Sequence, residues 1–130
     1  MTNPFKIGDK KRYTKLVENA DTAIFETGTV HPVYATFALA RDAEWCSRLF
    51  VLEMKEEHEE GIGTFIDVKH VSPALMGQKV KFEAILKSVD GNEAICSYTA
   101  KVGDRLIASG EQGQKILEKE KIQRLFGSLK

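Results

Sequence analysis

Thr36-Phe37-Ala38-Leu39-Ala40-Arg41-Asp42-Ala43-Glu44-Trp45-Cys46-Ser47-Arg48-Leu49-Phe50-Val51-Leu52-Glu53-Met54-Lys55-Glu56 is the stretch on which the fold turns. Leu39, Ala43, Cys46, Phe50 and Met54 recur at three- and four-residue steps, which makes one apolar stripe of an amphipathic helix. Thr36 is placed to cap its N-terminus. The small residues Ala40, Ala43 and Ser47 let such a helix lie deep against a curved sheet. Glu44 falls among them, where an ionisable side chain is costly to bury unless it is paired or used.

On either side of this helix the period changes from 3.6 to 2. Upstream, Lys11 to Glu18 mixes aromatic and β-branched residues and reads as a strand. Residues 19–35 carry Asn19, Asp21, Gly28 and Pro32 and read as irregular. Downstream, Glu56 to Glu60 is a charged, solvated exit closed by Gly61, with His58 exposed in it. Gly63 to Ser72 then alternates as a strand, with Thr64, Ile66, Val68 and His70 on one face. His70 is thus a second ionisable group on an apolar surface. Gln78 to Val89 sets Val80, Phe82, Ala84 and Leu86 against Lys79, Lys81, Glu83 and Lys87. Asp90-Gly91-Asn92 signals a hairpin into Glu93–Val102. Gly103-Asp104 turns into a long strand from Arg105 to Glu118. Lys119 to Phe126 reads as a short helix capped by Gly127.

The 130 residues suit one domain with a real core. One helix between a leading strand and an antiparallel meander predicts an α+β fold, an antiparallel sheet wrapped around one long central helix. An edge strand and an apolar flank would remain uncovered, which predicts a homodimer. Nineteen basic and nineteen acidic residues cancel, so nothing marks a partner as nucleic acid or an anionic membrane. The absence of a long apolar run and of a signal peptide predicts a cytoplasmic protein. Cys46 and Cys96, far apart and each in an apolar stretch, read as buried thiols. No metal-ligand spacing or phosphate-binding glycine loop occurs, so neither a metal nor a bound cofactor is expected.

Tyr34-Ala35-Thr36, Glu44-Trp45 and Gly63-Thr64-(x5)-His70 resemble the hotdog-fold thioesterases of the fluoroacetyl-CoA thioesterase-like group. Glu44 follows Thr36 by eight residues, His70 follows Glu44 by twenty-six, and Gly63 precedes His70 by seven. The resemblance implies a hotdog fold and a homodimer with two acyl-CoA sites at the subunit interface, where a small or medium acyl thioester is hydrolysed to acid and CoA. It implies that Thr36, Glu44 and His70 form the polar constellation and that Gly63 offers a backbone N–H near the thioester carbonyl. CoA would enter as part of the substrate. One departure stands out. A last-strand arginine expected after Ser109-Gly110 is missing from Glu111-Gln112-Gly113-Gln114-Lys115.

Thioester hydrolysis needs an attacking group, a proton for the leaving thiolate and donors for the developing oxyanion. Glu44 can attack or deprotonate water, and His70 can orient it or protonate the thiolate near neutral pH. Gly63 admits a close approach of backbone to ligand. Within one helix Thr36 and Glu44 lie about 12 Å apart, too far to hydrogen-bond directly. Thr36 therefore reads as a contact to substrate or water. Thr64, Tyr34, Phe37 and Trp45 are candidates to line the acyl pocket. Plainer roles exist for each: Glu44 pairing with Arg41 or Arg48, His70 bonding a carbonyl, Thr36 as a cap, Gly63 at a bulge. Two other activities compete. His31-Pro32 ahead of Glu44 fits loosely with a hotdog dehydratase or hydratase, and the same fold can bind acyl-CoA, or merely dimerise, without catalysis.

Overall fold

Strand alternation builds the sheet. The computed structural model describes residues 1–25 and 28–130. In it, β6 (Lys79–Asp90) turns Val80, Phe82, Ala84 and Leu86 inward, and none is more than 1% exposed. The Gly91-Asn92 turn leads into β7 (Glu93–Val102), whose inward row is Ala94, Cys96, Tyr98 and Ala100. From β7 the chain returns as β8 (Arg105–Glu118). The leading strand β1 (Lys10–Leu16) pairs with β6, and β4 (Glu59–Ile66) pairs with β8 at the opposite edge. The order is β1-β6-β7-β8-β4, antiparallel throughout, with a short β5 (Lys69–His70) also on β8.

Helix α1 (Thr36–Met54) lays its stripe on this curled sheet, and Leu39, Ala43, Cys46, Phe50 and Met54 are all fully buried. This is the hotdog arrangement the sequence predicts. A C-terminal helix α2 (Lys119–Ser128) buries Ile122. Among the described residues no helix is long and apolar enough to cross a membrane.

Several boundaries differ from expectation, each for a local reason. Helix α1 ends at Met54 rather than Glu56, where the Lys55 N–H closes the last turn on Val51 O. Ala35, in extended conformation, is its N-cap, so Thr36 is the first helical residue and not a cap. The solvated exit is partly wrong, because Glu59 opens β4, is 9% exposed and accepts the Glu56 N–H at 2.9 Å. Residues 19–35 are more regular than expected. A 3-10 turn at Asn19–Asp21 precedes a hairpin of β2 (Thr22–Phe25) and β3 (Gly28–Tyr34), and Glu26 and Thr27 lie outside the described residues. Gly127 lies inside α2, which continues to Ser128.

The strand expected over Gly63–Ser72 is two pieces, and its face assignment fails at Thr64. A register shift between Gly63 and Phe65 marks a bulge, and Thr64 and Phe65 both lie over Gly113. The break after Ile66 is filled by Asp67, whose backbone N–H donates to Glu111 O at 3.0 Å and whose carboxylate accepts the Glu111 N–H at 3.0 Å. Tyr98 also donates to Asp67 O, at 2.7 Å. Gly110 permits this docking, since a Cβ there would collide with the Asp67 backbone.

Candidate active site

Two polar groupings emerge, both tied to α1. The first joins the helix start to β5: Thr36 Oγ1 lies 2.9 Å from His70 Nδ1, a hydrogen bond whose direction follows the imidazole tautomer. His70 is held by backbone pairing of β5 to β8 at Ala108. Its other nitrogen, Nε2, is shielded from solvent and has no hydrogen-bond partner among the described residues. A buried ring nitrogen without a partner is uncommon in a folded protein.

The second grouping sits two helical turns further on. Glu44, half-buried, points its carboxylate at Gly63, so closely that a Cβ there would overlap Oε1. Gly63 has ordinary backbone angles, so its role is space rather than conformation. The Gln112 amide donates to Glu44 Oε1 at 3.5 Å. Among the described residues Glu44 has no ion-pair partner, because the nearby arginines are committed elsewhere. Arg41 donates to Asp21 Oδ1 at 2.8 Å and to Asp42 Oδ2 at 3.0 Å, and Arg48 donates to Gly61 O at 3.2 Å and to Glu60. A cavity of about 330 Å³ opens here, lined by Arg41, Glu44, Trp45, Arg48, Gly61, Gly63 and Gln114.

The chain therefore brings Thr36 to His70 and Glu44 to Gly63, but not one pair to the other. Thr64 is exposed on its bulge and donates to Glu93 Oε2 at 2.9 Å. Phe37 is 53% exposed beside Thr36, and Trp45 is 42% exposed beside Glu44. Tyr34 departs from the expected pocket position. It is 1% exposed, packs edge-on against Phe82 and donates its hydroxyl to Asp42 Oδ2. The side chain of His31 lies outside the described residues. Gln112 and Gln114, to which the sequence assigns no role, both occupy inward positions of β8. The signal was present as two polar residues in an apolar row of period 2.

Cys46 and Cys96 are buried free thiols. Burial pushes Cys46 up to about 11 and Cys96 up to about 12, so neither is a ready nucleophile. A second cavity of about 350 Å³ lies on β1, β6 and β7 with Lys81 and Lys101 at its wall, directly opposite one another across the strands. It contains none of Thr36, Glu44, Gly63 or His70.

The sequence matches the profile of a family described as fluoroacetyl-CoA-specific thioesterase over residues 17–120. A Thermus thermophilus hypothetical protein, a thioesterase superfamily member, superposes with a TM-score of 0.92 at 35% identity, covering 98% of this chain and 95% of that one. The fluoroacetyl-CoA thioesterase FlK itself superposes with a TM-score of 0.88 at 23% identity, over 95% and 96% of the two chains. Variants of that enzyme are solved with acetyl-CoA and with fluoroacetate and CoA. A hot-dog-like protein from Thermanaerovibrio acidaminovorans aligns with a TM-score of 0.87 at 20% identity, over 95% and 92%. A search of curated protein sequences gives no match.

Proposed function

The chain belongs to the fluoroacetyl-CoA-specific thioesterase family, and from that premise we propose that it hydrolyses small acyl-CoA thioesters at sites shared between two copies of itself. It is a thioester hydrolase of the hotdog fold. The observation that carries the shared site is the separation of its two polar groupings. Thr36 and Glu44 are about 12 Å apart along the helix at 1.5 Å per residue. His70 and Gly63 pair with Ala108 and Gln114 of β8, six residues or about 20 Å apart in an extended strand. One thioester carbon cannot touch both ends.

A two-fold pairing of the β4 edges removes the difficulty. It sets two α1 helices antiparallel, so that the Thr36–His70 end of one protomer faces the Glu44–Gly63 cluster of its partner. The edge is suited to this, since Phe65 and Ile66 on it are 40% and 37% exposed. In this reading Glu44 supplies the carboxylate, by deprotonating water or by attacking the acyl carbon, two routes separable by oxygen-18 incorporation. Gly63 admits the thioester against the sheet. His70, whose Nε2 is unpartnered, serves the leaving thiolate, with Thr36 holding the ring, and Phe37 and Trp45 wall the acyl group.

Mixing variants tests the sharing. E44Q and H70A homodimers are each expected to release little thiol from acetyl-, isobutyryl- and benzoyl-CoA. Co-refolded as a mixture, they should recover roughly a quarter of wild-type activity, because half the dimers then hold one intact site. No recovery means that each site lies within one chain. Full activity in either variant alone removes that residue from the chemistry.

A further inference from the structure

Gln112 and Gln114 stand two residues apart on β8, at inward positions that alternation reserves for apolar side chains, and Ile116 continues the same row. They are 1% and 2% exposed. A buried primary amide brings two donors and an acceptor that must all be met. Gln114 donates to Gln112 Oε1 at 2.9 Å and to the main-chain carbonyl of Glu44 at 3.5 Å. Gln112 donates to Gly113 O at 2.8 Å and to Glu44 Oε1 at 3.5 Å. The first bond dictates the last. With its oxygen held by Gln114, the Gln112 amide must present nitrogen to the carboxylate, and the reverse orientation would set two oxygens face to face.

We propose that Gln112 and Gln114 form an uncharged relay that positions the Glu44 carboxylate, an inference that rests on Glu44 performing the chemistry. Gln114 grips the helix through the Glu44 backbone and fixes the rotation of Gln112, and Gln112 aims the side chain. The cations on the same helix turn away to Asp21, Asp42, Glu60 and the Gly61 carbonyl. An amide donor fixes the direction of the carboxylate without neutralising it, whereas an arginine there would offset the charge that attacks or accepts the proton. The fold alone does not require these residues. Replacing both members of a buried polar pair by apolar groups of similar shape is close to neutral or stabilising.

The test compares Gln112→Met, Gln114→Met, the double variant, Glu44→Gln and Glu44→Gln combined with Gln112→Met. Thiol release is measured on whichever of acetyl-, isobutyryl- and benzoyl-CoA turns over fastest, with Tm alongside. Gln112→Met is expected to lower kcat by about ten- to a hundredfold, the scale of a misplaced catalytic group, with KM moving less than about threefold. Gln114→Met, which only frees Gln112, should lower kcat by roughly threefold to tenfold. Tm should fall by a few degrees in each single variant, which strands the remaining buried amide, and return to near or above wild type in the double variant. In the Glu44→Gln background Gln112→Met should add nothing to the loss. An unchanged kcat, a kcat loss that appears only with a collapse of Tm, or an undiminished loss in the Glu44→Gln background each overturns the relay. Wild-type turnover by Glu44→Gln alone refutes the role of Glu44 itself, whatever the glutamine variants do.

Discussion

Asp42 and Glu44 are two residues apart on one helix, and the protein treats them in opposite ways. Asp42 is 5% exposed and saturated: Tyr34 donates its hydroxyl, and Arg41 donates from Nε at 3.1 Å and from its terminal nitrogen at 3.0 Å. Arg41 continues to Asp21, which also holds Lys15 at 3.2 Å and the Glu18 N–H at 3.0 Å. That network ties β1, the 3-10 turn, β3 and α1 together. Glu44 has one amide at 3.5 Å and an open cavity. Satisfied polar groups of this kind hold a fold in register, whereas under-satisfied ones keep binding capacity in reserve for a substrate.

The largest effects should follow this division. Glu44→Gln is expected to lower kcat by about a thousandfold, within the range for a general base. Its Tm should stay level or rise. Asp42→Ala leaves the buried Tyr34 hydroxyl without its acceptor and Arg41 with Asp21 alone, at a cost of about 3 kcal/mol. That corresponds to roughly a 10 °C fall in Tm. Turnover by the fraction still folded should stay near wild type. If Asp42→Ala loses kcat without losing Tm, the two carboxylates are not divided as described.

Two glycines sharpen the same contrast. A methyl at Gly63 would meet the end of the flexible Glu44 side chain, whereas one at Gly110 would meet the Asp67 backbone carbonyl. Gly63→Ala should therefore displace the carboxylate and cost about tenfold to a hundredfold in kcat with little change in Tm. Gly110→Ala should lower stability by about 1–3 kcal/mol, since backbone cannot step aside as a side chain can. A Gly63→Ala enzyme of full activity would mean that Glu44 has another working position.

The helix and its partners were legible because their periodicities are unbroken: the stripe of α1 and the rows of β6 and β7 carry no competing signal. Legibility ended where a polar tip overrode the pattern. Tyr34 reads as a pocket residue from its place before Thr36, yet its ring fills the core because Asp42 is there to take its hydroxyl. The alternation after Gly63 misleads because the Thr64 bulge adds a residue that no period reveals. Gln112 and Gln114 look like surface residues until β8 is known to be inward there. The pairing of Thr36 with His70 joins elements 34 residues apart. Helix geometry alone separates Thr36 from Glu44, but only the sheet shows that Thr36 meets His70.

Acidity separates the two clusters by a different route. Burial pushes the Asp21 carboxyl up, but Arg41, the Glu18 N–H and Lys15 together outweigh it and hold it below the usual carboxylate range. A depressed folded pKa gives stability that is fully present above the unfolded value near 3.9 and is lost as pH falls through the folded one. Wild-type Tm should accordingly fall below about pH 4. Asp21→Asn should begin lower at pH 7 and show a shallower acid limb, with kcat at neutral pH little changed. Parallel acid limbs would mean that other carboxylates carry the pH dependence.

The smallest effect expected is none at all, at Cys46. Four residues make about one turn, so Cys46 shares the buried flank of Asp42, while Glu44 lies roughly half a turn away on the cavity side. The Cys46 thiol is fully buried and donates to Lys11 O at 3.5 Å. With burial holding it near 11, the thiolate fraction at pH 7.5 is below about one in a thousand. Iodoacetamide at that pH should leave both thiols of the folded protein unmodified and thiol release unchanged, with alkylation appearing only in denaturant. Modification of Cys46 in the folded enzyme with loss of turnover would place a reactive group on the buried flank, and the division of α1 into a structural and a chemical side would fail.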